Sequence, residues 1–353
     1  MLKRNGDKQA TVVLDNPMHE TRKRDHIELA RTAQMNPKMV DSRFNYEPLI
    51  ASHPNANTDL SFNFLEKKVK APLWISSMTG GVGEARHINQ NLAKLCREFG
   101  LGMGLGSCRS LIDSDQYFED FNLRPLIGHD LPFYANFGIA QIERMIEESS
   151  TEKLIELCKK LEVDGLFIHV NPLQEWLQPE GDHIRVAPTE TIKKFCEILN
   201  KTKLKLIIKE VGQGMGPSSL KSLFDLPIDA FELAGFGGTN FSKLEALRNS
   251  DIENAFENLF NLGHTPEEMV RMINDLGQSH SHVRKIPLII SGGIDNFLDG
   301  FYLRLLSRNP SVYGHAQKFL SHAHSYESLS HFTEKQISGL KVAQTYLTLK
   351  ELT

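Results

Sequence analysis

Gly165-Leu166-Phe167-Ile168-His169-Val170 is an apolar run of strand length, and Leu204-Lys205-Leu206-Ile207-Ile208-Lys209 repeats the pattern further along. Between them, Thr189–Leu199 places Ile192, Phe195, Cys196 and Leu199 at three- and four-residue spacing, which is one face of a helix. Strand, helix, strand in that order is a crossover unit, and crossover units build parallel sheets. The same rhythm extends in both directions. Strands are expected at Pro72–Met78, Gly102–Gly106, Pro132–Phe137, Ala230–Ala234, Pro287–Ser291 and Val312–His315. Helical faces recur at Glu84–Phe99, through Ile88, Leu92, Leu95 and Phe99, and at Thr151–Leu161, through Leu154, Leu157, Cys158 and Leu161. Eight candidate strands favour closure into an α/β (β/α)8 TIM barrel over residues 72–353. A doubly wound sheet ranks lower, because no GxGxxG follows the first strand.

Two segments fall outside the alternation. Residues 1–71 form an N-terminal extension containing Pro37, Pro48 and Pro54, read as a helix around Asp25–Gln34 followed by extended chain. Residues 241–285 form a long loop after strand six, with helices expected at Ser242–Arg248 and Pro266–Leu276 and a polar stretch at Gly277–His282. Long connections of this kind on a barrel usually carry function.

Composition narrows the partners. The 353 residues are 24% charged and 40% hydrophobic with a net charge of −4, and no basic stripe points to nucleic acid. Cys96, Cys108, Cys158 and Cys196 form no CxxC pair and read as reduced core thiols. No signal peptide or membrane span is apparent, so a cytoplasmic protein is expected.

Chemistry-bearing residues gather where the strands end: Ser77-Met78-Thr79-Gly80-Gly81, Gly106-Ser107-Cys108-Arg109, Asn136-Phe137-Gly138, His169 to Glu175, Lys209-Glu210-Val211-Gly212, Gly235 to Thr239, and Ser291-Gly292-Gly293. In a barrel these share the carboxyl rim, where active sites lie. Glycine pairs let backbone N–H groups approach a phosphate, and Gly292-Gly293 occupies the usual phosphate position of this fold. Lys209 at a strand end needs an anionic partner. Glu210 alternates to the opposite face, which leaves a ligand as the expected partner. His169, Asn171, Gln174 and Glu175 crowd one loop, where Glu175 suits a hard cation such as Mg2+. Arg22, Lys23 and His26 form a basic cluster that either solvent or an anion could offset. His280, His282, His315, His322, His324 and His331 lack an accompanying acid or cysteine pattern and read as surface residues.

Taken in order, these motifs resemble the type 2, flavin-dependent isopentenyl diphosphate isomerases, from Arg22-Lys23-Arg24-Asp25-His26-Ile27 to Ser291-Gly292-Gly293-Ile294, with the loop from His169 to Asp182 the most specific match. The resemblance implies isomerisation of isopentenyl diphosphate to dimethylallyl diphosphate, with reduced FMN moving the proton, Mg2+ on the diphosphate, NADPH as reductant, and a homotetramer or homo-octamer. It implies that Met78, Thr79, Gly80, Ser107, Asn136, Lys209 and Thr239 touch FMN, with Gly292, Gly293, Ala316 and Gln317 at its phosphate. Arg22, Lys23, Ser107, Arg109, His169, Asn171 and Gln174 would face the substrate, Glu175 the metal, and Gln174, His169 and Lys209 the chemistry. Moving a double bond passes through a cation that water would trap, so a dry cavity is required. After Gly293 the pattern departs: Asp295-Asn296-Phe297 stands where an arginine is usual, and Lys318 is expected to offset that loss. An FMN-dependent 2-hydroxy acid oxidase would need a histidine base beside an arginine near the late strands, where only His280, His282 and Arg284 occur. A non-catalytic barrel descendant is the third reading.

Overall fold

The computed structural model describes residues 17–55, 57–77, 80–81, 83–248 and 255–350, and the chain divides into two compact units, 1–44 with 350–353, and 45–349. In the larger unit, the short apolar runs form eight parallel strands: β1 Leu73–Ile75, β2 Gly102–Gly104, β3 Phe133–Gly138, β4 Gly165–His169, β5 Lys205–Lys209, β6 Ala230–Glu232, β7 Leu288–Ser291 and β8 Ser311–His315. They pair in chain order, and β8 returns to β1 through Tyr313↔Leu73 and Gly314↔Trp74, closing the barrel. The strands are buried on both faces, as a parallel sheet covered by helices requires. The expected amphipathic helices cover it, at Ala85–Phe99, Thr151–Lys160 and Pro188–Leu199.

Side chains pointing into the barrel form two tiers. The lower one is apolar: Trp74, Tyr134, Phe167, Ile207, Ala230, Ile289 and Val312 share one cluster. Gly102 in β2 completes the ring because a Cβ there would lie 2.2 Å from the Trp74 indole. The rings of Trp74, Tyr134 and Phe167 meet in edge or tilted contacts, with centroids 5.9–6.3 Å apart. Two residues further along each strand the composition switches: Ser76, Gly104, Asn136, His169, Lys209, Glu232, Ser291 and Gly314. The barrel therefore has an apolar floor and a polar ceiling.

A hairpin that the sequence reading left as extended chain, Phe62–Phe64 with Lys67–Val69, inserts Phe64, Leu65 and Val69 into the apolar tier. Its turn residues Leu65 and Glu66 both have positive φ, 51° and 66°. That conformation normally selects glycine or asparagine. Leu65 is offset by burial, and Glu66 by an ion pair with Lys205 at 2.8 Å. Below the floor, Asp164 accepts from Lys67 Nζ at 2.5 Å, Arg124 Nη2 at 3.1 Å and the Phe133 backbone N–H at 2.9 Å. Arg124 is 2% exposed and also donates to the carbonyls of Glu162, Gly128 and Leu131. This network ties the hairpin to β3 and β4.

Beyond β8, the 21-residue helix Tyr326–Tyr346 packs on Phe297–Leu306, where Gly339 faces the Phe297 ring. The long connection after β6 contains Phe241–Ala246 and Pro266–Ser279, the latter started by a capping box between Thr265 and Glu268. The smaller unit holds a helix at Pro17–Leu29, earlier than the expected Asp25–Gln34. From Thr21 onward its residues are exposed, so no apolar face could mark its limits in the sequence. All four cysteines are free and buried. Among the described residues no helix is long and apolar enough to cross a membrane.

Candidate active site

The polar tier opens into a cavity of about 360 Å³ lined by Ser76, Ser77, Lys209, Glu232, Gly235, Gly237 to Thr239, Ser291 to Asp295, and Gly314 to Lys318. A second cavity of about 140 Å³ is lined by Ser77, Gly106, Ser107, Asn136, His169, Gln174, Lys209, Val211 and Phe241. The two share Ser77, Lys209, Val211 and Phe241, so they form one groove across the carboxyl rim.

At the first end, two glycine loops meet. Gly237 and Gly292 have φ of +121° and +95°, and a Cβ on Gly292 would lie 2.0 Å from the Gly235 carbonyl oxygen. Only glycine permits this approach, which leaves backbone rather than side chains facing the cavity. Thr239, Gly292, Gly293, Ala316 and Gln317 all line this cavity. The acid after Gly293 is accounted for: Asn296 caps the helix Phe297–Leu306, and Asp299 completes the capping box. Asp295 itself pairs with Lys318 at 3.4 Å.

At the second end, Ser107, Asn136, His169, Gln174 and Lys209 converge. His169 Nδ1 bonds to Asn136 Oδ1 at 2.9 Å. Burial, reinforced by the Lys209 charge, pushes its imidazole down to about 3, so it is neutral near pH 7. The helix Pro172–Leu177 packs through Leu173 and Leu177 on Ala246 and Phe260, which seats Gln174 beside Glu245. Gln174 Nε2 donates to Glu245 Oε1 at 3.2 Å, and Arg248 holds the other Glu245 oxygen at 2.6 Å. Asn171 is buried and donates to both Gln174 Oε1 and Glu175 Oε1, at 3.0 and 2.9 Å. The second Glu175 oxygen accepts from the Asp182 backbone N–H at 2.7 Å. Among the described residues no three His, Cys, Asp or Glu side chains gather as a metal cluster, so Glu175 is a single-carboxylate candidate. Arg109 is half exposed and paired with Asp182 at 2.8 Å.

Other expectations are corrected or lie elsewhere. The ligand is not the only anion available to Lys209. Glu232 on the adjacent strand lies 3.8 Å from Nζ, because Lys209 and Glu232 are register partners on one face. Glu210 does turn away, accepting from the backbone N–H groups of Gly212, Gln213 and Gly214. His315 is buried rather than on the surface, among Tyr313, Phe319 and Phe332, and burial lowers it to about 4. Met78 and Thr79 lie outside the described residues. Gly80 backs onto Ser107, whose carbonyl oxygen would lie 2.9 Å from an added Cβ. Arg22 and Lys23 are exposed on the helix of the smaller unit.

No family model matches the chain. Curated relatives match nearly its whole length. The isopentenyl-diphosphate delta-isomerase of Rickettsia africae (strain ESF-5) is 31% identical over 347 residues, covering 96% of this chain and 97% of the relative. The chain belongs to the isopentenyl-diphosphate delta-isomerase family. Another member, from Rickettsia typhi (strain ATCC VR-144 / Wilmington), is 32% identical over 340 residues, covering 94% and 95%. Among solved structures, the flavin-binding domain of baker's yeast flavocytochrome b2 aligns with a TM-score of 0.57 at 14% identity, over 86% of this chain and 72% of that one. A mandelate oxidase mutant with an FMN adduct aligns at 0.51 and 10% identity, over 88% of each. At such identities the likeness is one of fold. An isopentenyl-diphosphate delta-isomerase on this barrel is consistent with the type 2 class that the motifs suggested. Two buried carboxylates that sequence reasoning missed are Glu232, which lines the groove, and Glu245, which reaches it through its bond to Gln174.

Proposed function

We propose that the chain interconverts isopentenyl diphosphate and dimethylallyl diphosphate, with FMN, Mg2+ and NADPH as reductant, as a homotetramer or homo-octamer. The observation that carries this reading is the single groove. A glycine-lined end suits a phosphate, and an end bearing Ser107, Asn136, His169 and Gln174 suits a substrate, with Lys209 in both walls.

The residues present fit FMN. Among the described residues the Ser77 and Ser76 hydroxyls and one Glu232 oxygen are buried in the groove wall without hydrogen-bond partners, and the glycine loops expose backbone to it. Ser107, Asn136, Lys209, Thr239 and Gly80 would hold the flavin, the role the motifs also imply for Met78 and Thr79, and Gly292, Gly293, Ala316 and Gln317 its phosphate. Reduced FMN, when bound, supplies an electron-rich ring able to move a proton and stabilise positive charge beside it. Val211 and Phe241 line both ends of the groove and exclude water from a developing cation. Gln174 is held at both ends of its amide, by Asn171 and Glu245, so it orients the isoprenoid rather than acting as a strong base. His169, Asn171 and Arg109 would address the diphosphate, the role the motifs also imply for Arg22 and Lys23. Glu175 would ligate Mg2+, with water and diphosphate oxygens completing the shell.

The structure gives the hydroxy-acid oxidase reading little support. His280 and Arg284 precede β7 and so belong to the amino end of the barrel, while His282 bonds to the Phe224 carbonyl. The test is isomerisation of isopentenyl diphosphate with and without pre-reduced FMN and Mg2+. Turnover that requires both is expected. No turnover with both present, or full turnover without flavin, would sink the reading, and a protein that stays colourless with FMN would favour a non-catalytic descendant.

A further inference from the structure

Glu232 is the acid that the reaction as described does not use. It is 1% exposed, deeper than any other carboxylate of the groove. Its Oε1 accepts from Ser291 Oγ at 3.0 Å, and that hydroxyl in turn accepts from the Ala234 backbone N–H at 3.0 Å. The serine is thereby locked with its proton toward the acid. Among the described residues Glu232 Oε2 has no hydrogen-bond partner, and it faces Lys209 Nζ at 3.8 Å, too far for a hydrogen bond but close for charge. A buried carboxylate with one bare oxygen is stable only beside a cation.

The barrel register explains the arrangement. Gly138, His169, Lys209 and Glu232 are successive lateral partners across β3, β4, β5 and β6. This lateral row therefore reads small, neutral, positive, negative. Lys209 is flanked by an imidazole that burial and the lysine charge keep neutral and by a carboxylate with an uncommitted oxygen. Any anionic occupant of the groove competes with Glu232 for the same ammonium.

We propose that Glu232 is a positioning residue that balances the charge of Lys209 and so sets how strongly the groove prefers reduced, anionic FMN over oxidised, neutral FMN. This rests on the reading of Lys209 as a flavin contact. An uncompensated lysine would bind the reduced form tightly and trap it. A lysine fully neutralised within hydrogen-bonding distance would offer the flavin little. The 3.8 Å spacing lies between these limits.

The experiment is measurement of the midpoint potential of FMN bound to the full-length protein, by equilibration with a dye of known potential at one pH. The variants are Glu232→Gln, Glu232→Asp, Lys209→Met and the Lys209→Met/Glu232→Gln double variant. Glu232→Gln is expected to raise the potential, favouring reduced over oxidised flavin by about tenfold or more, which is ~30 mV for a two-electron couple. Lys209→Met should lower it, and the double variant should return toward the wild type. If Glu232→Gln does not fold, Glu232→Asp withdraws the carboxylate from Nζ and should shift the potential upward by less. A wild type and folded Glu232 variants with the same potential, or a downward shift, overturn the inference while leaving the functional reading intact. A wild-type chain that takes up no FMN overturns both.

Discussion

His169 Nδ1 sits 2.9 Å from Asn136 Oδ1, across adjacent strands, so the imidazole proton is engaged on Nδ1 and the Asn136 amide N–H2 is left for the groove. The pair defines the neutral state of the ring. Because burial depresses the His169 pKa to about 3, the unfolded chain binds this proton at higher pH than the native one. The contribution to stability is therefore complete above the ordinary histidine value near 6.5 and is lost as pH falls toward 3. Over that window, native stability is expected to fall by up to about 1.4 kcal/mol per pH unit from this group. Denaturant titrations at several pH values should show a shallower acid slope for His169→Asn. Histidine NMR should show the wild-type ring rising on Lys209→Met, since the lysine charge is the second cause of its depression.

Gln174 depends on Glu245 for its orientation, and Glu245 on Arg248. Freeing the amide lets it rotate away from the bound isoprenoid. Gln174→Ala is expected to lower kcat by roughly 100-fold, the size of a positional loss, and Glu245→Gln by less, with FMN affinity unchanged in both. Stopped-flow isomerisation beside flavin fluorescence titration separates the effects. Full turnover by Gln174→Ala would remove its role.

The glycine loops make a sharper demand. Gly292→Ala places a methyl group against the Gly235 carbonyl at a φ of +95°. FMN affinity should fall by at least about tenfold, a loss of ~1.4 kcal/mol. Gly83→Ala, where an added Cβ meets nothing within 4 Å, is the control and should bind FMN normally.

Asp164 joins the hairpin to the barrel at the end opposite the groove. Asp164→Ala strands the buried Arg124 guanidinium and the Phe133 N–H, and is expected to cost about 3 kcal/mol of stability, the usual penalty for breaking a buried ion pair. Thermal melts should move while the FMN affinity of the folded fraction does not.

What the sequence made legible follows from periodicity. Each barrel strand was placed because its apolar run is short and isolated between helical faces, and the rim residues followed from where those runs end. Glu232 was missed because alternation is read along one strand, whereas its contact with Lys209 runs sideways and depends on register. Glu245 was missed for a related reason: it lies on a helix within the long loop, and only packing on Pro172–Leu177 brings it to Gln174. The hairpin was hidden because Leu65 and Glu66 are not turn residues by type, and burial of Leu65 with the Glu66–Lys205 ion pair, rather than local preference, holds them. Periodicity could have found the polar tier: stepping two residues from Trp74, Phe167, Ile207 or Ala230 lands on Ser76, His169, Lys209 or Glu232.

The hairpin seated in the barrel floor makes the larger unit a stoppered cup, whose groove among the described residues lies at the carboxyl rim. On the proposed reading, flavin and isoprenoid share that mouth, so the deeper of the two would leave only after the shallower, an order of traffic set by the plug and not by relative affinity.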